Sequence, residues 1–393
     1  MFRLLSISFK CQTGNGLLED SVKGVEAFLG EGGFGVVAKC RNTITNKFVA
    51  IKVNKNAPEI YHQARQEIEI LKQLRCLDPE TCNIVQWNGY FFLKMNICLN
   101  FELLDLSLYH YMEGTPEKTL PITEVKDVLY QLSIALSHLS SIGIVHADLK
   151  PDNVMVVDRH QKPLRVKLID FGLASRVSDC QPGMCVQTTW YRAPEVCLYS
   201  EFNEAIDMWS LGLTAAELAV GYPLYPGNMD YDVLSFIIYE TGCRPEDTRD
   251  FWLSSLDDLE ELMEVNRGHN SDHGLLVDLI KKMMHLDQDQ RIKPQELLMT
   301  DDMLRIILEM TNLNGRQSDP PWKEIDMPCL QAFLRLLILA GVYRSGHEAV
   351  ASLWDPHTGR GIFSATMSQK QFNLINSNLR FDDGASRTRC RSS

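Results

Sequence analysis

The chain has 393 residues, a formal net charge of −12 and a hydrophobic share of 45%. This length and composition fit one large globular domain with an appendage, and they exclude a disordered or fibrous protein. The acidic balance argues against nucleic acid as the main partner, because binding to a phosphate backbone needs clustered Lys and Arg.

Residues 22–103 show the alternation of short strands, for example at Phe48–Val53 and Ile97–Phe101. Within this region, apolar residues from Gln63 to Leu74 repeat at helical spacing among Glu and Lys. We therefore expect a small sheet that packs against a single helix.

Residues 106–310 are mostly helical in pattern, as at Val125–Ser140, Ala205–Val220 and Leu275–Met284. A β-rich small lobe followed by a helical large lobe is the predicted architecture, which is an α+β fold. The segment 312–321 is rich in Asn, Gly, Asp and Pro and is typical of a linker.

The predicted organisation has four parts. They are an N-terminal extension at 1–21, a main domain at 22–310, a linker at 311–328 and a separate helical tail at 329–393. Within the main domain, the small lobe spans about 22–103 and the large lobe about 106–310.

A glycine-rich motif spans residues 30–37 and fits the pattern G-x-G-x-x-G-x-V. Backbone N–H groups of such a loop can close over phosphates, although a glycine-rich stretch by itself can be only a tight turn. The candidate residues of this motif are Gly30, Gly32, Gly33, Gly35 and Val37.

Lys52 ends the next apolar strand and is predicted to face the phosphates. Glu67 on the predicted helix is its expected ion-pair partner, because Glu67 lies one turn before Leu71 on the apolar face. Glu69 is the competing carboxylate.

A catalytic segment begins at His146 and contains Asp148, Lys150 and Asn153, and Asp170-Phe171-Gly172 follows it. Asp148 is placed to accept the proton of an attacking hydroxyl, and Lys150 to neutralise the transferred phosphoryl group. Asn153 and Asp170 offer the hard oxygen ligands that Mg²⁺ prefers.

The ordered motifs of residues 22–303 resemble those of the eukaryotic protein kinases. The resemblance implies a bilobal fold, ATP and Mg²⁺ as cofactors, and protein substrates. Lys150 in Asp-Leu-Lys-Pro-x-Asn resembles the serine/threonine class, in which it and Thr188 orient an aliphatic hydroxyl. Structural roles are implied for Asp207, which would brace the catalytic loop, and for a pairing of Arg291 with Glu195.

The same resemblance implies an adenine pocket between the lobes. Val37 and Ala50 would lie above the base, Met155 below it and Phe101 at the back. Glu102 to Leu104 would form the hinge whose backbone pairs with the base, and Ser107 is a candidate for the ribose.

Within the kinases, the segments 190–195, 204–212 and 223–227 resemble the homeodomain-interacting protein kinases and the dual-specificity tyrosine-regulated kinase group. This likeness implies nuclear or cytoplasmic localisation and transcription regulators as substrates, often phosphorylated before proline. A kinase-shaped scaffold with little turnover is the alternative.

Three departures from that group stand out. Cys185 replaces the activation-loop tyrosine, the insert between Gly242 and Ser255 is shortened, and the usual end of the last helix is absent at 297–303. Because Ala147 stands where an arginine could bind a loop phosphate, we expect activity without loop phosphorylation. Arg176 and Arg192 remain alternative phosphate receivers.

The tail resembles the start of a piggyBac-type transposase, at Gln331–Gly341, Leu353–Asp355, Phe363–Ser368 and Leu379–Asp383. The catalytic carboxylates of such enzymes follow the segment represented here, so strand cleavage is not predicted. The basic residues at 387–391 are too few to predict DNA binding, and a transposon-derived DNA-binding protein is the third hypothesis.

The 11 cysteines contain no CxxC pair, which predicts reduced thiols and no zinc site. The first residues lack the pattern of a signal peptide. The most apolar run, 334–342, is far shorter than the ~20 residues that span a bilayer, so no membrane partner is expected.

Overall fold

A computed structural model describes most of the main domain and parts of the tail. The described residues are 11–13, 16–18, 22–42, 45–240, 256–267, 272–298, 304, 307–308, 311–312, 315–316, 322–342, 353–354 and 361–378. Three segments that the sequence analysis discussed lie outside the described residues. They are the shortened insert at 242–255, residues 299–303 at the end of the main domain, and the tail from Leu379 onward. The chain divides into two compact units, Met1–Gln295 and Glu296–Ser393.

The small lobe of the first unit is a seven-stranded antiparallel sheet in the order β2-β1-β6-β7-β5-β4-β3. Its strands are β1 Cys11–Thr13, β2 Gly16–Leu18, β3 Val22–Glu31, β4 Gly35–Asn42, β5 Phe48–Asn54, β6 Trp87–Leu93 and β7 Asn96–Glu102. Strands β1 and β2 fall in the predicted N-terminal extension, for which the sequence pattern indicated no strand.

Successive side chains along β4 and β5 point to opposite faces of the sheet. One face forms an apolar core with Ala38, Cys40, Val49 and Ile51. The other face carries Val37, Ala50 and Lys52, which are only half-buried. The second face is therefore available to a ligand.

Helix α1 spans Pro58–Leu74 and packs on this sheet. Pro58 occupies the first helical turn and Glu59 is also in that turn, where a fixed φ and a negative charge both favour a helix start. The buried side chains follow helical spacing, and they include one charged residue, Glu67.

The large lobe is mainly helical, as predicted. Its helices are α2 Leu108–Glu113, α3 Ile122–Ser141, α4 Pro194–Cys197, α5 Ala205–Val220, α6 Asp230–Glu240, α7 Asp258–Arg267 and α8 Asp272–Met283, and α9 Pro294–Leu297 follows. Short 3-10 helices occur at Pro116–Lys118, Pro151–Asn153, Val177–Asp179 and Thr189–Tyr191. Five short strands complete it, β8 Leu106–Ser107, β9 Ile144–Val145, β10 Val154–Val156, β11 Val166–Leu168 and β12 Ser175–Arg176.

Helix α5 is the buried centre of the large lobe, and nearly every side chain along it is buried. Gly212 lets the end of α8 approach closely, because a Cβ at this position would lie 3.2 Å from Met283 Cβ and 2.6 Å from Cγ of the next residue, Met284. Such close packing fixes α5 as a rigid platform for the loops above it.

The second unit contains α10 Met327–Val342, α11 Gly361–Thr366 and α12 Gln369–Asn378. These helices share an apolar centre in which the rings of Phe333 and Phe372 lie 4.9 Å apart and those of Trp354 and Phe363 lie 5.2 Å apart. Trp354 Nε1 donates to Met367 O at 2.7 Å, so the indole is also anchored by a hydrogen bond.

Part of the predicted linker has regular structure. Thr311, Asn312, Gly315 and Arg316 are helical, and Asn312 Oδ1 accepts a hydrogen bond from Trp322 Nε1 at 2.9 Å. The turn-forming composition of this segment therefore did not indicate its conformation.

Among the described residues, no helix combines the length and the apolar character needed to cross a membrane.

Candidate active site

Lys52 on β5 joins the small lobe to the large lobe. Its Nζ lies 3.0 Å from Glu67 Oε1 on α1 and 2.8 Å from Asp170 Oδ1. Glu69, the alternative partner, is exposed and pairs with Lys72 at 2.7 Å. The helix therefore presents Glu67, and not Glu69, to the lysine.

The charges of Lys52 and Asp170 follow from their contacts. Burial by itself would lower the pKa of Lys52, but Glu67 and Asp170 outweigh that effect and raise it above its usual value. Burial opposes ionisation of Asp170 too, yet the Lys52 ammonium holds the pKa of Asp170 below its usual value. Lys52 and Asp170 thus face each other as charged groups.

The loop after Asp170 is tied to α1. Gln63 Nε2 donates to Gly172 O at 3.0 Å, and Gly172 N–H donates to Asp170 Oδ1 at 3.3 Å. A Cβ on residue 172 would lie 3.2 Å from that carboxylate oxygen. Glycine therefore permits the close turn that brings Asp170 against Lys52.

The catalytic segment is held from below by Asp207 of α5. His146 N–H and Ala147 N–H donate to its two carboxylate oxygens at 2.7 and 2.9 Å. These bonds stabilise a turn in which Ala147 has a φ of 61°, which is unusual for a residue with a side chain. The brace implied for Asp207 by the kinase resemblance is present.

Asp148, Lys150 and Thr188 form one hydrogen-bonded group. Thr188 Oγ1 donates to Asp148 Oδ1 at 2.7 Å, and Lys150 Nζ donates to Thr188 Oγ1 at 2.6 Å. Lys150 Nζ also lies 3.1 Å from Asp148 Oδ2. A carboxylate, a cation and a hydroxyl are therefore placed together, as the transfer of a phosphoryl group to a hydroxyl requires.

Asn153 and Asp170 are the candidate metal ligands. Asn153 Nδ2 donates to Asp148 Oδ2 at 2.8 Å, which leaves the Asn153 amide oxygen as a possible ligand. Among the described residues, no group of three or more His, Cys, Asp or Glu could hold a metal ion. Two oxygen ligands suit Mg²⁺, because this ion takes few protein ligands and completes its shell with phosphates and water.

The four side chains predicted to contact adenine are half-buried. Ala50 pairs with Phe101 across β5 and β7, and Val37 pairs with Lys52 across β4 and β5. Met155 is on β10 of the large lobe and pairs with Ser107 of β8. Unlike Ala38 and Ile51 beside them, these residues keep exposed apolar area that a planar base could cover.

The glycine-rich motif connects β3 to β4. Gly35 is required by packing, because a Cβ there would lie 2.1 Å from Val53 O. At Gly30, Gly32 and Gly33 a Cβ would meet no atom within 4 Å. Packing within the protein does not require glycine at these three positions, which leaves room for a ligand to approach the backbone.

The side chains at the predicted hinge have partners within the protein. Glu102 Oε1 accepts from Lys167 Nζ at 2.6 Å and from Gln86 N–H at 2.6 Å. Ser107 caps α2, where its Oγ accepts from His110 N–H at 3.3 Å. The backbone groups of Glu102 and Leu104, and not their side chains, are therefore the candidates for hydrogen bonds to a base. The Ser107 hydroxyl already accepts a hydrogen bond in the cap of α2.

Two residues of the site were not predicted from the sequence. One is Lys167, a buried cation in the apolar strand β11, where the charge in Val166–Leu168 was the only signal. The other is Gln187, which has a φ of 63° and whose O accepts from Arg192 Nη2 at 2.7 Å. No local pattern marked Gln187.

The segment around Thr188, from Gln187 to Glu195, is anchored to the large lobe. Gln187 Nε2 donates to Ser210 Oγ at 2.8 Å, so this side chain connects the segment to α5. Arg291 Nη1 lies 2.7 Å from Glu195 Oε1, which is the pairing implied by the kinase resemblance. Both contacts are buried and hold the loop beside Asp148 in one position.

Comparison with protein families gives two matches. The family model described as protein kinase domain matches residues 24–301, and the model described as transposase IS4 matches residues 295–392. The matches meet near residue 295, where the two compact units also divide. The predicted domain limits at 310 and 328 stay predictions.

The chain is also similar to curated kinases. It is 36% identical over 319 residues to homeodomain-interacting protein kinase 2 of Mus musculus, which covers 69% of this chain and 27% of that protein. It is 44% identical over 218 residues to homeodomain-interacting protein kinase 1 of Caenorhabditis elegans, covering 56% of this chain and 26% of that protein. It is 33% identical over 329 residues to homeodomain-interacting protein kinase 4 of Homo sapiens, covering 69% of this chain and 53% of that protein.

The alignments thus span about a quarter to a half of these relatives. The resemblance to the homeodomain-interacting protein kinases and the resemblance of the tail to a transposase are both confirmed.

Proposed function

Because the chain belongs to the protein kinase family, we propose that it transfers the γ-phosphoryl group of ATP to serine and threonine hydroxyls of proteins. The hydrogen-bonded group of Asp148, Lys150 and Thr188 carries this proposal. Asp148 and Lys150 lie on the same segment as Asn153, and Thr188 comes from the loop after Asp170. This group is the part of the site that distinguishes transfer to a hydroxyl from nucleotide binding alone.

Each residue has a separate task in the proposed reaction. Asp148 accepts the proton of the substrate hydroxyl, and Lys150 stabilises negative charge on the transferred group. Lys52, fixed by Glu67, holds the α- and β-phosphates. Asn153 and Asp170 would hold Mg²⁺, which neutralises charge on the phosphates when it is bound.

The nucleotide would bind between the lobes. Val37, Ala50, Phe101 and Met155 would cover the faces and the back of the adenine, and the backbone of Glu102 and Leu104 would pair with its edge. The open backbone at Gly30, Gly32 and Gly33 would cover the phosphates, and Gly35 would complete the loop by its close packing against β5. Ser107 would contact the ribose only if its hydroxyl left its helix cap.

The direct test is a phosphorylation screen of the purified full chain with Mg-ATP and a peptide library. Mass spectrometry should find phosphoserine and phosphothreonine, and Asp148→Asn should remove the signal. Products only on tyrosine would contradict the serine/threonine proposal. Nucleotide binding without transfer to any peptide would favour the kinase-shaped scaffold instead.

A proline after the phosphorylated residue is the proposed substrate preference. The Gln187 carbonyl is turned to Arg192 Nη2 at 2.7 Å and so is not free to accept from a substrate N–H in the next position. When the peptide binds, any residue other than proline at the position after the phosphorylated residue would lose the hydrogen bond between its backbone N–H and water. Proline has no backbone N–H and therefore loses no hydrogen bond.

We expect kcat/KM for a Ser-Pro peptide to exceed that for the matched Ser-Ala peptide by about tenfold, equivalent to ~1.4 kcal/mol. A peptide with N-methylalanine in place of proline is the control, since it also lacks the N–H, and it should behave like the proline peptide. Equal kcat/KM for the alanine and proline peptides would show that Gln187 does not select the substrate.

The proposed cellular substrates are transcription regulators, and the proposed localisation is the nucleus, with the cytoplasm as a second site. Similarity to kinases whose names describe interaction with homeodomain proteins supports this choice. Immunoprecipitation of phosphorylated partners, compared between the wild type and Asp148→Asn, tests it.

Activity should not need a phosphate on the loop between Asp170 and Glu195. Ala147 offers no cation, Arg192 is engaged with the carbonyl groups of Val186 and Gln187, and Arg176 Nε donates to Gln73 Oε1. The loop is therefore already held by bonds within the protein.

Phosphatase treatment should leave peptide phosphorylation within about tenfold of the untreated value, with mass spectrometry confirming that the loop is bare. A larger loss would show that a phosphate on the loop matters for activity.

A further inference from the structure

Arg192, in the loop before α4, makes three contacts with its guanidinium group. Its Nε donates to Val186 O at 3.0 Å, and its Nη2 donates to Gln187 O at 2.7 Å. The third contact is an ion pair between Nη1 and the carboxylate of Asp230, at the start of α6. Within the described part of the chain, Asp230 is the only carboxylate that pairs with Arg192.

This ion pair is largely shielded from water, because the side chains of Arg192 and Asp230 are only 14% and 21% exposed. The carboxylate is held from a second side, where the Tyr199 hydroxyl donates to Asp230 Oδ2 at 3.3 Å. A hydrogen bond to a charged group is roughly twice as strong as one between neutral groups. Asp230 therefore fixes the guanidinium more firmly than the two carbonyl groups alone would.

The peptide group that joins Gln187 to Thr188 is held at both of its ends. Its carbonyl oxygen accepts from Arg192 Nη2, and its N–H donates to Asp148 Oδ1 at 3.1 Å. Because a peptide group is planar, its C=O and its N–H turn together. The φ of 63° at Gln187 is uncommon for a residue with a side chain, so this orientation depends on such contacts.

We propose that Asp230 is a positioning residue for the phosphoryl transfer, which acts through Arg192 on the Gln187–Thr188 peptide. This role rests on the proposed function. While the ion pair is in place, the Gln187 carbonyl is occupied by Arg192 and the Thr188 N–H is directed to Asp148. Asp230 thus influences both the choice of substrate and the hydrogen bonding of the proposed base.

Asp232 provides a matched control for Asp230. Both carboxylates lie in the first turn of α6, where a negative charge stabilises a helix. Asp232 Oδ2 accepts from Asn228 N–H at 2.9 Å and from Met229 N–H at 3.0 Å, and among the described residues Asp232 makes no contact with Arg192. Asp232→Asn therefore removes the same charge from α6 without changing the ion pair.

The first test needs no substrate and follows hydrogen exchange of the Thr188 amide by NMR in the ¹⁵N-threonine-labelled full chain. Loss of a resonance in Thr188→Ser assigns the signal. In Asp230→Asn the exchange should become at least about tenfold faster, because a neutral amide holds Arg192 less firmly. Asp232→Asn should exchange at the wild-type rate.

The second test compares kcat/KM for the matched Ser-Pro and Ser-Ala peptides. Asp230→Asn should reduce the expected preference for proline from about tenfold to about threefold or less, because a released Gln187 carbonyl can accept from the N–H of the alanine peptide. Asp232→Asn should keep the wild-type preference. A general loss of stability would lower kcat/KM for both peptides alike and leave their ratio unchanged.

Unchanged exchange of the Thr188 amide in Asp230→Asn, or equal acceleration in Asp232→Asn, would overturn the proposed role of Asp230. The same conclusion would follow if the wild type prefers Ser-Pro and Asp230→Asn keeps that preference in full. A wild-type chain that phosphorylates neither peptide, or both equally, would contradict the proposed function instead. The exchange of the Thr188 amide would then still decide whether Asp230 holds the Gln187–Thr188 peptide.

Discussion

Asp148→Asn should lower the rate of peptide phosphorylation by at least about 10³-fold while Mg-ATP binding stays near the wild-type level. The amide cannot accept the proton of the attacking hydroxyl. It is nearly the same size, but its NH₂ group cannot accept the hydrogen bonds that one carboxylate oxygen receives from Thr188 or from Asn153. The loss should therefore fall mainly on turnover, with a small decrease in the stability of the fold.

Single-turnover phosphorylation and nucleotide titration, followed on one preparation, measure the two effects. Asp158→Asn is the control, because among the described residues this exposed carboxylate accepts only from His160 N–H in a surface turn, and both values should stay unchanged. Wild-type turnover in Asp148→Asn would show that Asp148 is not the base.

Lys52→Met should also lower turnover by at least about 10³-fold, with weaker binding of ATP. Methionine fills the space of the side chain but cannot neutralise the phosphates. Glu67 is 3% exposed and would be left without its cation, so it would take up a proton to avoid a buried charge. A lower melting temperature is expected beside the loss of turnover.

Lys72→Met provides the comparison for this change, since the Lys72–Glu69 pair is on the surface and contributes at most about 1 kcal/mol. Turnover and the midpoint of thermal unfolding should both stay close to the wild type. If Lys72→Met and Lys52→Met lost the same activity, general damage to α1 would explain the effect better than a role of Lys52 toward phosphates.

Chain connectivity explains why part of the predicted site lies together. Asp148, Lys150 and Asn153 stand within one short segment, so their shared position follows from chain connectivity. The strands around Lys52 and helix α5 were predicted near their observed limits, because alternation and continuous apolar character mark them. Helix α1 begins earlier than Gln63, since its exposed first turn at Pro58 has no apolar repeat.

Contacts between distant segments could not be predicted in this way. The Gln187 side chain meets Ser210 of α5, and Lys167 meets Glu102 of β7. Each pairing depends on how the chain folds back between the two residues. The local spacing of residues in the sequence does not show this.

The carboxylate of Asp148 has a full set of donors before any peptide arrives. Oδ1 accepts from the backbone N–H and the hydroxyl of Thr188, and Oδ2 accepts from Asn153 and lies near Lys150. A water molecule beside the nucleotide would therefore find no free base to take its proton, whereas a substrate hydroxyl held by its own peptide can displace the Thr188 hydroxyl. If Asp148 is the base of the proposed reaction, the Thr188 hydroxyl would therefore limit the hydrolysis of ATP until a substrate hydroxyl takes its place.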